Sequence, residues 1–232
     1  AQIVTTSFSS YGPTDDGRIK PDVVANGAGV WSTGAFSGGA PSTSAYYSSP
    51  GTSMAAPNVT GTAVLLIEHF QNEFGFAPQA ASTKGLLIHT ASDAGNTGPD
   101  YAYGWGLVNA AEAADFITKS AAGASGYFEQ RTFNGSTQSI DLISDGTGPL
   151  KATIVWSDWG LTTQGSGLDD NTSVLANNLD LWVLGPGGKY FPWTLNPANP
   201  TSPAVRNQSN NLDNVEQVLI DAPAAGTYTI YV

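Results

Sequence analysis

The chain has 232 residues, enough for one large domain or two ordinary ones. A formal net charge of −11 with only 8 Lys+Arg argues against nucleic acid or an anionic membrane as partner. The absence of Cys excludes a disulfide framework, thiolate metal sites and a cysteine nucleophile.

No run of about 18 apolar residues is present, so no membrane-spanning helix is expected. A charged fraction of 12% with abundant Gly, Ser, Thr, Asn and Ala suits a secreted protein. The chain starts without Met and ends on Tyr228-Thr229-Ile230-Tyr231-Val232, which reads as mid-strand. The expectation is an internal piece of a longer protein.

Taken in order, Ile3 to Ser10 reads as a short strand entering the turn cluster Ser9-Ser10-Tyr11-Gly12-Pro13, followed by a second strand near Val23. Gly27 to Pro50 reads as a loop rich in Gly and Ser, with Tyr46-Tyr47 placed to border a cleft. A helix is expected over Ala55 to Phe74, where Val59, Ala63, Leu66, Ile67, Phe70 and Phe74 repeat at helical period. A second helix is expected over Pro78 to Ala91. A third runs from Ala110 to about Ser120, with Asn109 as N-cap and Glu112 at the capping-box position.

Small residues at Ala121-Ala122-Gly123-Ala124-Ser125-Gly126 mark a domain boundary, dividing 1–122 from 127–232. Beyond it helical period gives way to strands and turns. Strands are expected over Tyr127 to Phe133, Ser139 to Ile143, Leu150 to Trp156, Leu179 to Leu184, Val215 to Ile220 and Thr227 to Val232. Turns fall at Asn134-Gly135 and Gly185-Pro186-Gly187-Gly188. That pattern argues an all-β sandwich or jelly roll.

The chemistry-bearing stretch is Gly51-Thr52-Ser53-Met54-Ala55-Ala56-Pro57. It sets the Ser53 hydroxyl where the unpaired N–H groups and positive dipole end of the first helix converge. A hydroxyl there serves as a plain N-cap, or as a nucleophile whose oxyanion product those donors stabilise. The string resembles the nucleophile motif of the subtilisin-like serine proteases. Arg18-Ile19-Lys20-Pro21-Asp22-Val23-Val24-Ala25 and Tyr103-Gly104-Trp105-Gly106-Leu107-Val108-Asn109 resemble flanking segments of the same family. Asn26 stands where the family usually has Pro, and Asn58 where many relatives carry His.

The resemblance implies an α/β fold, here the C-terminal half of a parallel-sheet catalytic domain. It implies a serine endopeptidase acting on protein or peptide substrates. Ser53 would be nucleophile and N–H oxyanion donor, and Gly51 and Thr52 would border the substrate. His69 lies 16 residues past Ser53 on one helix, roughly 24 Å away, and nothing around His89 marks it as a base. The family order therefore implies that the triad Asp and His, and the oxyanion Asn, lie in an upstream half of the same domain. The chain alone is then expected to be inactive.

The β part resembles the C-terminal jelly-roll domain of the KP-43-like group of alkaline subtilases, through Leu150-Lys151-Ala152-Thr153-Ile154-Val155-Trp156, Asn178-Leu179-Asp180-Leu181 and Asp213-Asn214-Val215-Glu216-Gln217-Val218. That group binds calcium in this domain, and the resemblance implies Asp180 as a ligand of structural calcium. Asp169-Asp170-Asn171 and Asn211 with Asp213 and Asn214 are further oxygen-rich candidates. Phe191-Pro192-Trp193 stands where relatives often place a second acidic ligand. The alternative from another class is a non-catalytic scaffold whose β domain binds a polysaccharide or protein partner, with Trp156, Trp159, Trp182 and Trp193 as candidate platform residues.

Overall fold

The computed structural model describes residues 3–159, 167–168 and 170–232. Ile3 to Ser10 forms a turn on the protein surface instead of a strand, Ser9 N–H donating to Thr6 O. Among the described residues no strand pairs with it, and its backbone meets the Tyr103 hydroxyl instead, through Thr5 N–H and Ile3 O.

Where a loop was expected after Gly27, the chain folds into a hairpin of β1 (Val30–Ser37) and β2 (Ala40–Ser49). Its two-residue connection is Gly38-Gly39, with φ of 59° and 84°. Positive φ at both positions is what a tight hairpin turn matching the strand twist requires.

α1 (Thr52–Phe74) starts three residues earlier than its apolar period suggested. Its core stripe of Leu66, Phe70 and Phe74 meets α2 (Ala80–His89) through Leu86 and α3 (Ala110–Ala121) through Ala113 and Ile117. Phe70 is fully buried and stacks on Phe74 at 4.4 Å. Burial of that ring contributes about 1.5–3 kcal/mol. α1 ends at Gly75, whose N–H returns to Gln71 O. The Asn109 cap holds as expected, its Oδ1 accepting from Glu112 N–H at 3.0 Å.

Tyr127 to Phe133 is not a strand. Its side chains serve the helices instead. Phe128 packs edge-on against Phe70, and Gln130 Oε1 accepts from Gln79 N–H and Ser82 Oγ at the start of α2.

The remaining strands are β3 (Ser139–Ser144), β4 (Leu150–Val155), β5 (Trp182–Gly185), β6 (Gly188–Tyr190), β7 (Val215–Ile220) and β8 (Gly226–Tyr231). They form an antiparallel sheet ordered β3-β8-β5-β6 and an antiparallel pair β4-β7. Ala152, Val218 and Ile220 from the pair cluster with Val183 and Tyr228 from the larger sheet, and with Leu181 just before β5. These small sheets do not by themselves define a jelly roll. Parallel pairing in the first part is limited, among the described residues, to one bridge between Val24 and Leu107. The expected half of a parallel sheet is thus present only at its seed, because the segments around those residues find no further partner to extend a ladder.

A third apolar cluster joins residues on either side of the stretch at 122–126. Ile19, Ile88, Tyr101 and Trp105 pack with Trp193 and Val215. Asp213 fixes the junction, accepting the Ile19 N–H at 2.7 Å and the Asn210 Nδ2–H at 2.9 Å.

Candidate active site

Gly51 joins the hairpin to α1. Its N–H donates to Gly27 O at 2.7 Å, and its carbonyl accepts the first N–H of the helix, from Met54, at 3.0 Å. Thr52 and Ser53 then occupy the first two helical positions, before the intrahelical ladder begins. Ser53 is exposed, and no acceptor takes its N–H among the described residues.

Pro57 lies in the second turn of α1, not the opening turn that the sequence period implied. It has no N–H to offer Ser53 O four residues back. The Ser53 carbonyl therefore lacks the donor four residues on that a regular helix supplies, and its N–H lies ahead of the ladder. The arrangement can present a hydroxyl and an N–H donor side by side to a carbonyl arriving from solvent. Gly51 and Thr52 flank it on the hairpin side, where Trp31, Tyr46 and Tyr47 are exposed.

Both histidines are engaged elsewhere. His69 Nε2 lies 2.9 Å from Thr118 Oγ1 and 3.3 Å from Ala114 O on α3. His89 Nδ1 lies 2.9 Å from Thr153 Oγ1 on β4. Burial, with the Lys151 charge second, lowers the His89 pKa to about 4.

Among the candidate metal ligands, Asp180 Oδ1 is buried without a hydrogen-bond donor. So is Oε1 of Glu216, a fully buried residue whose other oxygen accepts the Leu181 N–H at 2.7 Å. Burial and the charges of Asp180 and Asp213, against the pull of that N–H, push the Glu216 carboxyl up to about 8. Asn211 Oδ1 accepts from Asn178, and Asn214 donates to Trp156 O. Asp170 accepts the N–H and hydroxyl of Thr172 in a turn, and Asp169 lies outside the described residues. No group of three or more His, Asp or Glu side chains is placed to hold a metal among the described residues.

Glu216 escaped the sequence reading. The signal was there, because it stands in phase with Val218 and Ile220 on a strand whose alternate residues are core. Of the tryptophans, Trp193 is buried under Arg206, Trp182 stacks on Tyr231 at 3.9 Å, and Trp156 donates to Asn177 O. Trp159 is exposed.

With this geometry in view, residues 3–106 match the model of the subtilase family, Peptidase S8. Ser53 and the string around it lie inside that match. Similarity to a protein named Serine protease/ABC transporter B family protein tagA, from Dictyostelium discoideum, covers 99% of this chain at 27% identity and 14% of that protein. Pyrolysin of Pyrococcus furiosus is 51% identical over 26% of this chain and 4% of its own length. An extracellular serine protease of Serratia marcescens is 40% identical over 32% of this chain and 7% of its own. The crystal structure of a lanthipeptide protease aligns at 39% identity and a TM-score of 0.30, covering 31% of this chain and 22% of that one. The chain thus spans a small part of the curated relatives it matches. No helix is long and apolar enough to cross a membrane among the described residues.

Proposed function

We propose that this chain is part of a secreted subtilisin-like serine endopeptidase, with Ser53 as its nucleophile. The observation that carries the reading is Ser53 itself, exposed at the start of α1 with a free N–H inside the string Gly51 to Pro57. Relatives that are serine proteases by name support it.

In this mechanism Ser53 Oγ gives its proton to a His from the upstream half of the domain and attacks the scissile carbonyl. The Ser53 N–H and an upstream Asn side chain hold the oxyanion. Collapse breaks the C–N bond, the amine leaves with the proton from His, and water releases the acyl group from Ser53. Residues 1–122 are then the C-terminal part of the catalytic domain, and 127–232 a jelly-roll domain of the KP-43-like kind. A structural calcium ion at Asp180 belongs to the same reading.

Fluorophosphonate labelling tests the chemistry on the full-length protein, a Ser53→Ala variant of it, and residues 1–232 alone. The expected result is labelling of the intact protein only. Absence of labelling in a folded full-length protein overturns the reading and leaves a scaffold whose β part binds a partner.

A further inference from the structure

We infer that one face of the β1–β2 hairpin, through Trp31 and Tyr46, selects an apolar or aromatic side chain of the polypeptide cleaved at Ser53. The inference deepens the reading of Ser53 given above and rests on it.

The strand register brings the two rings together. Trp31 is paired with Ser48, and Thr33 with Tyr46. Residues opposed across an antiparallel pair share a face, as do residues two apart on one strand. Trp31 and Tyr46 therefore lie on the same face, on a diagonal that aromatic side chains span. Tyr47 lies on the other face, where a β-carbon on Gly34 would sit 2.9 Å from its ring. That ring is laid against the hairpin. Trp31 is 70% exposed and Tyr46 63%. Among the described residues neither of them stacks on another ring. Two such rings side by side in water form the kind of surface that interfaces use.

The face is continuous with the turn that carries Ser53. Gly51 N–H donates to Gly27 O at 2.7 Å. A β-carbon on Gly27 would sit 2.8 Å from Gly51 O and 3.3 Å from the Ala55 β-carbon, so the base of the hairpin meets α1 with no side chain between them. Ser48 precedes Ser53 by five residues, which holds the two within about 17 Å. An extended substrate covers that span with about five residues.

Charge decides the class of side chain. From Val23 to Ile67 there is no Asp, Glu, Lys, Arg or His, in a chain of net charge −11. A charged side chain finds no counter-charge there and loses hydration against the rings. A basic one gains only about 0.5–1 kcal/mol over an exposed ring. Burying a Leu or Phe side chain is worth about 1.5–3 kcal/mol. The apolar side chain wins.

The test uses the full-length protein and quenched peptides that place Phe, Leu, Ala, Asp or Arg at each position within five residues of the cleaved bond. The expected result is one position where the wild type prefers Phe or Leu to Ala. Trp31→Ala and Tyr46→Ala should each cut the Phe-over-Ala ratio of kcat/KM there about tenfold, mainly through KM. Trp31→Lys should turn the preference at that position towards Asp. An unchanged ratio in both alanine variants, with the wild type labelled by fluorophosphonate, overturns this inference and leaves the Ser53 reading standing. A folded wild type that neither labels nor cleaves overturns both. Equal losses on every peptide, with labelling slowed to match, mean that the hairpin only props α1 and overturn recognition. A wild-type preference for Arg overturns the apolar class. Should Trp31→Ala fail to fold, Tyr46→Ala and Tyr46→Lys decide the same question at the same position.

Discussion

A β-carbon on Gly104 would sit 1.9 Å from the Pro21 carbonyl oxygen and 2.7 Å from that of Asp22, at a backbone φ of +60°. The close approach is fixed on both sides. Gly104 exchanges two hydrogen bonds with Asp100, and the next residue, Trp105, donates to Asp22 O. An alanine must push the Pro21–Asp22 backbone out of that ladder, and with it the neighbouring bridge between Val24 and Leu107. Gly104→Ala is expected to destabilise the full-length protein by about 3–5 kcal/mol, read by denaturant unfolding. A loss under about 1 kcal/mol would contradict the packing. The glycines of Tyr-Gly-Trp-Gly could be read from sequence as structural, because no chemistry attaches to them. Their partners could not, since Pro21 lies over 80 residues earlier in the chain. The same limit hid Glu216: its phase was visible, but its bond to the Leu181 N–H, 35 residues away, was not.

At the scale of elements, helices α1 and α3 were legible because each carries a long apolar period and a clear start or stop. The β1–β2 hairpin was not, since Ser, Gly and Ala give no apolar alternation and the one signal was Gly38-Gly39. The contact between α2 and β4 was equally hidden, and it has a measurable consequence. Gln217 Nε2 donates to Thr153 Oγ1 at 3.1 Å, so the Thr153 hydroxyl proton is free to donate to His89 Nδ1. The imidazole is therefore held neutral, with Phe116 beside it and Lys151 bonded to its own carbonyl. Its folded pKa, about 4, lies below the ordinary 6.5. Above pH 6.5 neither state binds the proton and the contact's stability is fully present. As pH falls from about 6.5 towards 4 the unfolded chain binds a proton that the folded one refuses, and stability is lost, by up to about 3 kcal/mol. His89→Gln keeps an acceptor for Thr153 without a titrating group. The urea midpoint of the full-length wild type should therefore drop more between pH 7 and pH 4.5 than that of the variant. Parallel drops would remove His89 as a cause.

For the whole molecule the sequence showed a helical part followed by a strand part, but not how closely the two are joined. Ile19, Tyr101 and Trp105 share one core with Trp193 and Val215, and those contacts link residues more than 85 positions apart, which no local pattern reveals. The β part therefore braces one side of the helical part. The other side is open. Ala56, Val59 and Ile67 of α1 line an apolar groove of about 600 Å³ with Val23, Leu87 and Ile88, and Val64 and Leu65 are more than half exposed on the same helix. Apolar side chains exposed beside an apolar groove make a surface that a protein usually covers. The upstream half proposed to supply the triad His and Asp is the natural cover for that groove, so catalytic completion and solubility should depend on the same residues. Residues 1–232 expressed alone are expected to self-associate through this surface, whereas the full-length protein should run as a single species. Size-exclusion chromatography with light scattering on both decides it. A monodisperse preparation of 1–232 that melts cooperatively would mean that the groove needs no cover, and that the upstream half is required for chemistry without being required for the fold.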